Sequence, residues 1–307
     1  MRASLPHIPV VNRRRILSVV GLLLFVQALA YFVNHHRPQW VPAACASARS
    51  AQTHTDRVAI IIEGRQVVNL VPLLLLWRAT LPETWRIQIF VTANVMPLFE
   101  RTTKLGRYLK NGSMNITVIP EQFSLGVSHG YSQFAASPWL WEQLAEEHIL
   151  LFQADSVLCS NSELDLEDFT QYDYIGAAPL GETWMNGGLS MRKRSTMLEI
   201  TRTVPFNKDQ DEEDVWFSHA VAAFPGAVIP SSETANTFSV GNVFSDRPFA
   251  MHKPRNAHGG IGDARMKALF EWCPEGALAG WVGLPEHETS DSWGGTDDAT
   301  AAIVRRT

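Results

Sequence analysis

Apolar runs and helical apolar stripes alternate along most of this chain. "RVAIIIEGR" holds Val58 to Ile62, a β-branched and apolar run without a polar break, the pattern of a strand covered on both faces. "QVVNLVPLLLLWRATLP" follows with helical spacing, then "WRIQIFVTAN" as a second strand and "MNITVIP" as a third. "SPWLWEQLAEEH" predicts a helix with Ser137 as N-cap and Pro138 at its first position. A further buried strand, Ile149 to Gln153, comes next. Strands separated by helices predict a mostly parallel sheet wrapped by helices, an α/β fold.

That last strand ends unusually. "HILLFQADSVLCS" runs from a core-like segment straight into Gln153-Ala154-Asp155-Ser156. Ligands of parallel α/β sheets bind outside the carboxyl ends of the strands. A carboxylate placed there, flanked by small polar residues, faces a ligand or a metal.

Beyond Ser156 the pattern is less regular. Asn186-Gly187-Gly188 predicts a tight turn before a strand-like piece, "DQDEEDVWFSHAVAAF" a helix with an acidic first turn, and "DARMKALFEWC" one more short helix. Glycines let a backbone approach a ligand closely, and the aromatic face of Trp184 offers a ligand a flat apolar surface. Trp184, Asn186, Gly187 and Gly188 are therefore candidate substrate contacts, although Gly-Gly also serves simply as a turn. The acids Asp211 to Asp214 either complement the helix dipole or supply a general base, and both roles can coexist.

The N-terminus changes the picture. Arg13-Arg14-Arg15 precede Ile16 to Val33, an uncharged apolar stretch long enough to cross a bilayer as a helix. The denser basic residues before it predict a cytosolic tail (1–15), a signal anchor (16–33), a Pro-, Ala- and Ser-rich stem (34–55) and a lumenal domain (56–286). Residues 287–307 predict a disordered tail. The alternative is a cleaved signal peptide ending near Ala28-Leu29-Ala30, with secretion. Either way the domain enters the secretory pathway, in the Golgi or endoplasmic reticulum lumen if anchored. The sequons Asn111-Gly112-Ser113 and Asn115-Ile116-Thr117, in what reads as a polar loop, agree. In an oxidising lumen Cys159 and Cys273 could pair, leaving Cys45 for a homodimer, or all three could be buried thiols.

Composition adds limits. With 307 residues, 46% of them hydrophobic, the chain can bury a sizeable core, and a net charge of −5 gives no reason to expect a nucleic-acid partner. There is no P-loop, no Gly-x-Ser-x-Gly and, after the first strand, no Gly-x-Gly-x-x-Gly.

Five motifs in fixed order, "LLFQADSVLCSNS", "YDYIGAAP", "NGGLSMRKRS", "EEDVWFS" and "MHKP", together with the early "VAIIIEGR", resemble the chiefly fungal family called domain of unknown function 5672. The likeness spans Val58 to Pro254. It implies a glycosyltransferase of the GT-A fold, which moves a sugar from a nucleotide-diphosphate donor to a hydroxyl of a glycan, glycoprotein or glycolipid. Such enzymes usually hold Mn²⁺ or Mg²⁺ with an Asp-x-Asp at a strand end, to bridge the leaving diphosphate. Here that position reads Gln153-Ala154-Asp155, so only the second acid is present. The resemblance implies Asp155 and His252 as metal ligands, Lys253 on the diphosphate, and Glu63, Arg65, Gln153 and Ser156 around the donor. "EEDV" is similar to the motif that supplies the base in inverting families, which points to Glu213 or, preferably, Asp214. The competing expectation is a lumenal GT-A-fold protein that binds sugar without transferring it. A nucleotide-sugar hydrolase or phosphoryl transferase would share the metal logic.

Overall fold

A computed structural model describes residues 56–253 and 262–279, which all fall in the compact unit His54–Thr307. The cytosolic tail, anchor, stem, Cys45 and the C-terminal tail lie outside the described residues. Among the described residues no helix is long and apolar enough to cross a membrane.

Strands β1 (Arg57–Glu63), β2 (Arg86–Val91), β3 (Met114–Val118), β4 (His148–Phe152), β6 (Tyr174–Gly176) and β7 (Leu189–Lys193) form one sheet in the order β3-β2-β1-β4-β7-β6. The four at the β3 side run parallel, whereas β7 is antiparallel to both β4 and β6. Val58 to Ile62 is buried throughout, as an all-apolar run requires. The chain leaves β1 towards β2 and β3 and returns on the other side as β4, so the connection reverses between β1 and β4. The carboxyl ends of that pair form the natural binding crevice of such a sheet.

Helix α1 (Leu70–Thr80) buries Leu70, Leu73, Leu74, Trp77 and Arg78, a stripe at spacings of three and four. Pro72 is tolerated because it lies in the first turn, where its missing N–H would have had no partner. Trp77 stacks on Phe152 with ring centroids 3.9 Å apart and donates to the Ser156 carbonyl at 3.0 Å. The end of β4 is thus clamped from one face.

Where a helix over residues 137–148 is expected, the structure has only the short α3 (Pro138–Glu142), preceded by another short helix, α2 (Gly130–Ala135), outside that stretch. Ser137 turns its hydroxyl back to the Phe134 carbonyl at 2.7 Å instead of capping α3. Beyond Glu142 the chain must bring Glu146, buried, to Arg86 on β2 before entering β4, which a continued helix would prevent. The second sequon also differs from expectation. Asn115 is exposed but lies within β3, the edge strand of the sheet, and Thr117 accepts a hydrogen bond from Gln88 at 2.9 Å.

A second sheet, not apparent in the sequence, pairs β5 (Ser156–Leu158), β9 (Ala250–His252) and β8 (Ser239–Val240) in the order β5-β9-β8. Antiparallel register sets Ser156 opposite His252. Helices α4 (Arg194–Thr203), α5 (Glu213–Ala223), α6 (Ser232–Phe238) and α7 (Asp263–Trp272) complete the frame. Cys159, just past β5, is disulfide-bonded to Cys273, just past α7.

This bond closes a loop across 114 residues. Loss of a native disulfide closing a loop of this kind typically costs about 2–5 kcal/mol. Thermal unfolding with and without a reductant, and of Cys159→Ala/Cys273→Ala, should show Tm lowered by roughly 5–15 °C. An unchanged Tm would mean that the bond constrains nothing.

Candidate active site

The end of β1 carries Glu63, buried, and the exposed Arg65 two residues on. Arg65 Nε lies 2.9 Å from Glu63 Oε1 and Nη2 lies 3.1 Å from Oε2, so the pair is bidentate. This bond to Glu63 is the largest of the effects that raise the Arg65 pKa. A guanidinium with a 66% exposed side chain is thereby held in a fixed position at the edge of the cleft.

Beside it, β4 delivers Gln153 and Asp155, and β9 delivers His252 and Lys253. The ladder between β5 and β9 continues as Lys253 N donates to the Asp155 carbonyl at 2.9 Å. His252 Nε2 is 3.2 Å from Gln153 Oε1 and 3.4 Å from Asp155 Oδ1. Both oxygens face the same ring nitrogen. Asp155 Oδ1 is nonetheless buried without a well-aligned hydrogen-bond partner. Burial pushes the Asp155 carboxyl up, but His252 and Lys253 outweigh it and hold the group below the usual carboxylate range.

Gly187 and Gly188 form the joint between two polar clusters. A Cβ on Gly188 would come within 2.2 Å of His252 Nε2 and 2.7 Å of Gln153 Oε1. One on Gly187 would come within 2.2 Å of Glu213 Oε1 and 2.9 Å of Asp214 Cβ. The dipeptide therefore lacks side chains because site residues close in on both sides of it.

On the Gly187 side, Arg192 is fully buried. It donates to Glu213 at 2.9 and 3.3 Å and lies over the rings of Tyr174, Phe217 and Trp141. Burial raises the Glu213 carboxyl above its ordinary range, against the pull of Arg192 and with Asp214 adding to the rise. Asp214 is less enclosed. Its Oδ2 accepts from Gly187 N at 3.2 Å and from Asn186 Nδ2 at 3.4 Å.

The segment before α2 supplies the facing wall, which the sequence did not single out. Gly130 packs so tightly that a Cβ would meet the Ser124 carbonyl oxygen at 2.0 Å, and His129 before it has a left-handed φ of 56°. Tyr131 follows, with its Oη buried and without a well-formed hydrogen-bond partner. Burial, reinforced by the Glu213 charge and by Asp214, pushes the Tyr131 hydroxyl pKa well above its ordinary value. Glu212 closes this side, accepting from Ser132 Oγ at 2.8 Å and lying 3.2 Å from His129 Nδ1.

The ends of β1 and β4, Lys253, Glu212 and the segment around Gly130 border a cleft of about 420 Å³. Of the residues singled out from sequence, Glu63, Arg65, Gln153, Asp155 and Lys253 line it directly. His252, Gly188, Gly187, Asn186, Glu213 and Asp214 form a connected layer of contacts running on from Gln153 and Asp155. Ser156 departs from its expected role. Its side chain is buried outside the cleft lining, accepting from Gln153 N and donating to the Gly188 carbonyl at 3.1 Å, so it ties β4 to the glycine turn. Trp184 is half-buried on the loop between β6 and β7, away from the cleft lining. Among the described residues no three His, Cys, Asp or Glu side chains converge as a metal centre.

Residues 113–252 match the model of the family named "Protein of unknown function (DUF5672)". This segment belongs to that family. The match covers β3 to β9 and includes every motif that carried the resemblance from "LLFQADSVLCSNS" to the His of "MHKP". No curated protein matches the chain. Among solved structures, the chain is similar to the apo form of the glycosyltransferase GlyE of Streptococcus pneumoniae TIGR4, at 10% identity and a TM-score of 0.46, covering 73% of this chain and 61% of that one. It is also similar to the mannosyltransferase PcManGT of Pyrobaculum calidifontis in complex with GDP-Man and Mn²⁺, at 12% identity and a TM-score of 0.36, covering 54% and 51%. The chain thus spans about three fifths of the length of the GlyE structure.

The glycine joint gives a direct test. Gly188→Ala should cost about 1–3 kcal/mol, because the imidazole or the strand must move. Gly106→Ala, where a Cβ meets nothing within 4 Å, should be neutral or stabilising by up to about 1 kcal/mol. Chemical denaturation of both variants checks the pair. Equal stability would show that His252 does not press on Gly188.

Proposed function

We propose that the protein is a nucleotide-sugar-dependent glycosyltransferase of the secretory pathway, held in the membrane by residues 16–33 in type II orientation. The observation that carries the reading is the convergence, where the sheet connection reverses, of Glu63 and Arg65 from β1 with Gln153, Asp155, His252 and Lys253 from β4 and β9. A planar guanidinium, a basic side chain beside a carboxylate and an imidazole are what a nucleoside diphosphate calls for, in that order from base to phosphate.

A divalent cation fits this donor set in part. Asp155 Oδ1 lacks a hydrogen-bond partner, and Gln153 Oε1 and His252 Nε2 face the same point, giving two hard oxygens and one imidazole. One carboxylate is too few for a site closed by protein alone, but it suits an ion whose remaining ligands are phosphate oxygens and water. Bound there, Mn²⁺ or Mg²⁺ would neutralise the charge that develops on the departing diphosphate.

For the base, Asp214 is favoured over Glu213. The Glu213 carboxylate is committed to Arg192 on both oxygens, whereas Asp214 is half-buried and bonded to a backbone N–H and an amide. A base at Asp214 would take the proton of the acceptor hydroxyl as it attacks the sugar from the side opposite the phosphate, which inverts the anomeric centre. Lys253, with its backbone at a φ of 50°, would meet the phosphates. Gln153 in place of an acid also favours a second reading, a lumenal sugar-binding or scaffold protein without transfer.

Calorimetric titration of the full-length protein with nucleoside diphosphates, with and without Mn²⁺, separates these. Micromolar binding that strengthens with Mn²⁺ and falls at least about tenfold in Asp155→Ala is expected. Asp214→Asn should keep binding and lose roughly 10²–10⁴-fold in transfer rate. Binding indifferent to Mn²⁺ and to Asp155 would remove the metal role. No binding to any nucleotide would leave the sugar-binding reading in front.

A further inference from the structure

Tyr131 was not prominent in the sequence, and its placement is unusual. It lines the cleft, yet its Oη is buried and has no well-formed hydrogen-bond partner, the Gln153 side chain being near enough only for a weak one. A tyrosine hydroxyl removed from water ordinarily finds an acceptor, because an unmade hydrogen bond costs the full desolvation of the group. The acceptors around it are already taken. Gln153 Oε1 faces His252, both Glu213 oxygens face Arg192, and Asp214 accepts from Gly187, Asn186 and Val215.

The position is also fixed with little freedom. Gly130 lies against the Ser124 carbonyl with no room for a side chain, and the left-handed His129 sets the entry to α2. The ring is therefore delivered to the cleft by backbone that has no alternative arrangement nearby. Tyr131 lines the cleft together with Gln153, Asp155 and Lys253, and the Glu213 and Asp214 charges act on its hydroxyl.

We infer that Tyr131 Oη donates a hydrogen bond to an oxygen at the sugar–diphosphate end of a bound nucleotide-sugar donor. This rests on the function proposed above. The hydroxyl acts as a neutral donor and keeps its proton, so no bond is made or broken at it. It satisfies an oxygen that gains negative charge as the sugar leaves, next to two acids that would otherwise repel that charge.

The test is Tyr131→Phe in the full-length protein, with UDP, GDP, ADP and CDP as probes, together with the monophosphate and a hexose conjugate of whichever binds. The expected result is a roughly tenfold weaker affinity for the diphosphate or its sugar conjugate, no change for the monophosphate, and a Tm that is equal or higher. A hydroxyl with a structural partner would instead lower Tm. Unchanged affinity for all probes, or an equal loss for monophosphate and diphosphate, would overturn the inference while leaving the donor site standing. If the wild type binds none of the four nucleotides, the proposed function fails and the inference falls with it.

Discussion

A guanidinium with no access to water holds the centre of this molecule together. Arg192 sits on β7 where the sheet, the loop carrying Gly187 and the acid-led start of α5 meet. Burying a charge of this kind is unfavourable unless its geometry and partners are nearly ideal. Here it has a bidentate carboxylate, a serine hydroxyl at 2.9 Å and three aromatic faces. Removing either partner would leave the other charged and stranded, so the pair fixes the distance between β7 and α5. Asp214, next in sequence to Glu213, inherits its position from that constraint, and Gly187 is squeezed flat by it. A buried ion pair is weak evidence for stability, but it is a strong device for register.

The other half of the site depends on a different constraint. His252 reaches Asp155 only because β9 pairs with β5, in a register that puts Ser156 across from it. A strand of three residues has little hold by itself. Trp77 caps this region through the Ser156 carbonyl, and the disulfide ties the far end of β5 to the end of α7. Asn161 adds a bond to the Trp272 carbonyl at 2.7 Å. These ties compensate for a short ladder, and they act on the strand that carries the imidazole.

What the sequence made legible follows from range. Val58 to Ile62 and Ile149 to Phe152 declare themselves as buried strands, because an apolar run has few other uses, and the strand-end rule then picks out Glu63, Gln153 and Asp155. The acidic start of α5 is equally local. The role of Glu213 is not, since nothing near it in sequence announces that Arg192, twenty-one positions away, will occupy its carboxylate. Ser156 looks like a ligand contact until the pairing with β9 and the bond to Gly188 are known. Tyr131 was missed for the same reason, as a lone tyrosine in a helical stretch carries no signal until its neighbours are assembled. The helix over 137–148 failed because local pattern cannot register the pull of Glu146 towards Arg86.

Gln153 is the residue at which local rule and global electrostatics part. The cleft and the layer behind it already hold Glu63, Asp155, Glu212, Glu213 and Asp214, answered chiefly by Arg65, Lys253 and Arg192. A further acid at 153 would lie about as close to Asp155 as the amide does, both within 3.5 Å of a single nitrogen. Two carboxylates facing one imidazole, in a site partly shut off from water, repel and raise each other's pKa. An amide supplies the same oxygen to His252 without that repulsion. On the function proposed above, the cost would be a weaker hold on a cation, which the phosphates of a bound donor could make up and an empty cleft could not. Such a site would take its metal together with the nucleotide, in contrast to one that keeps the ion between turnovers.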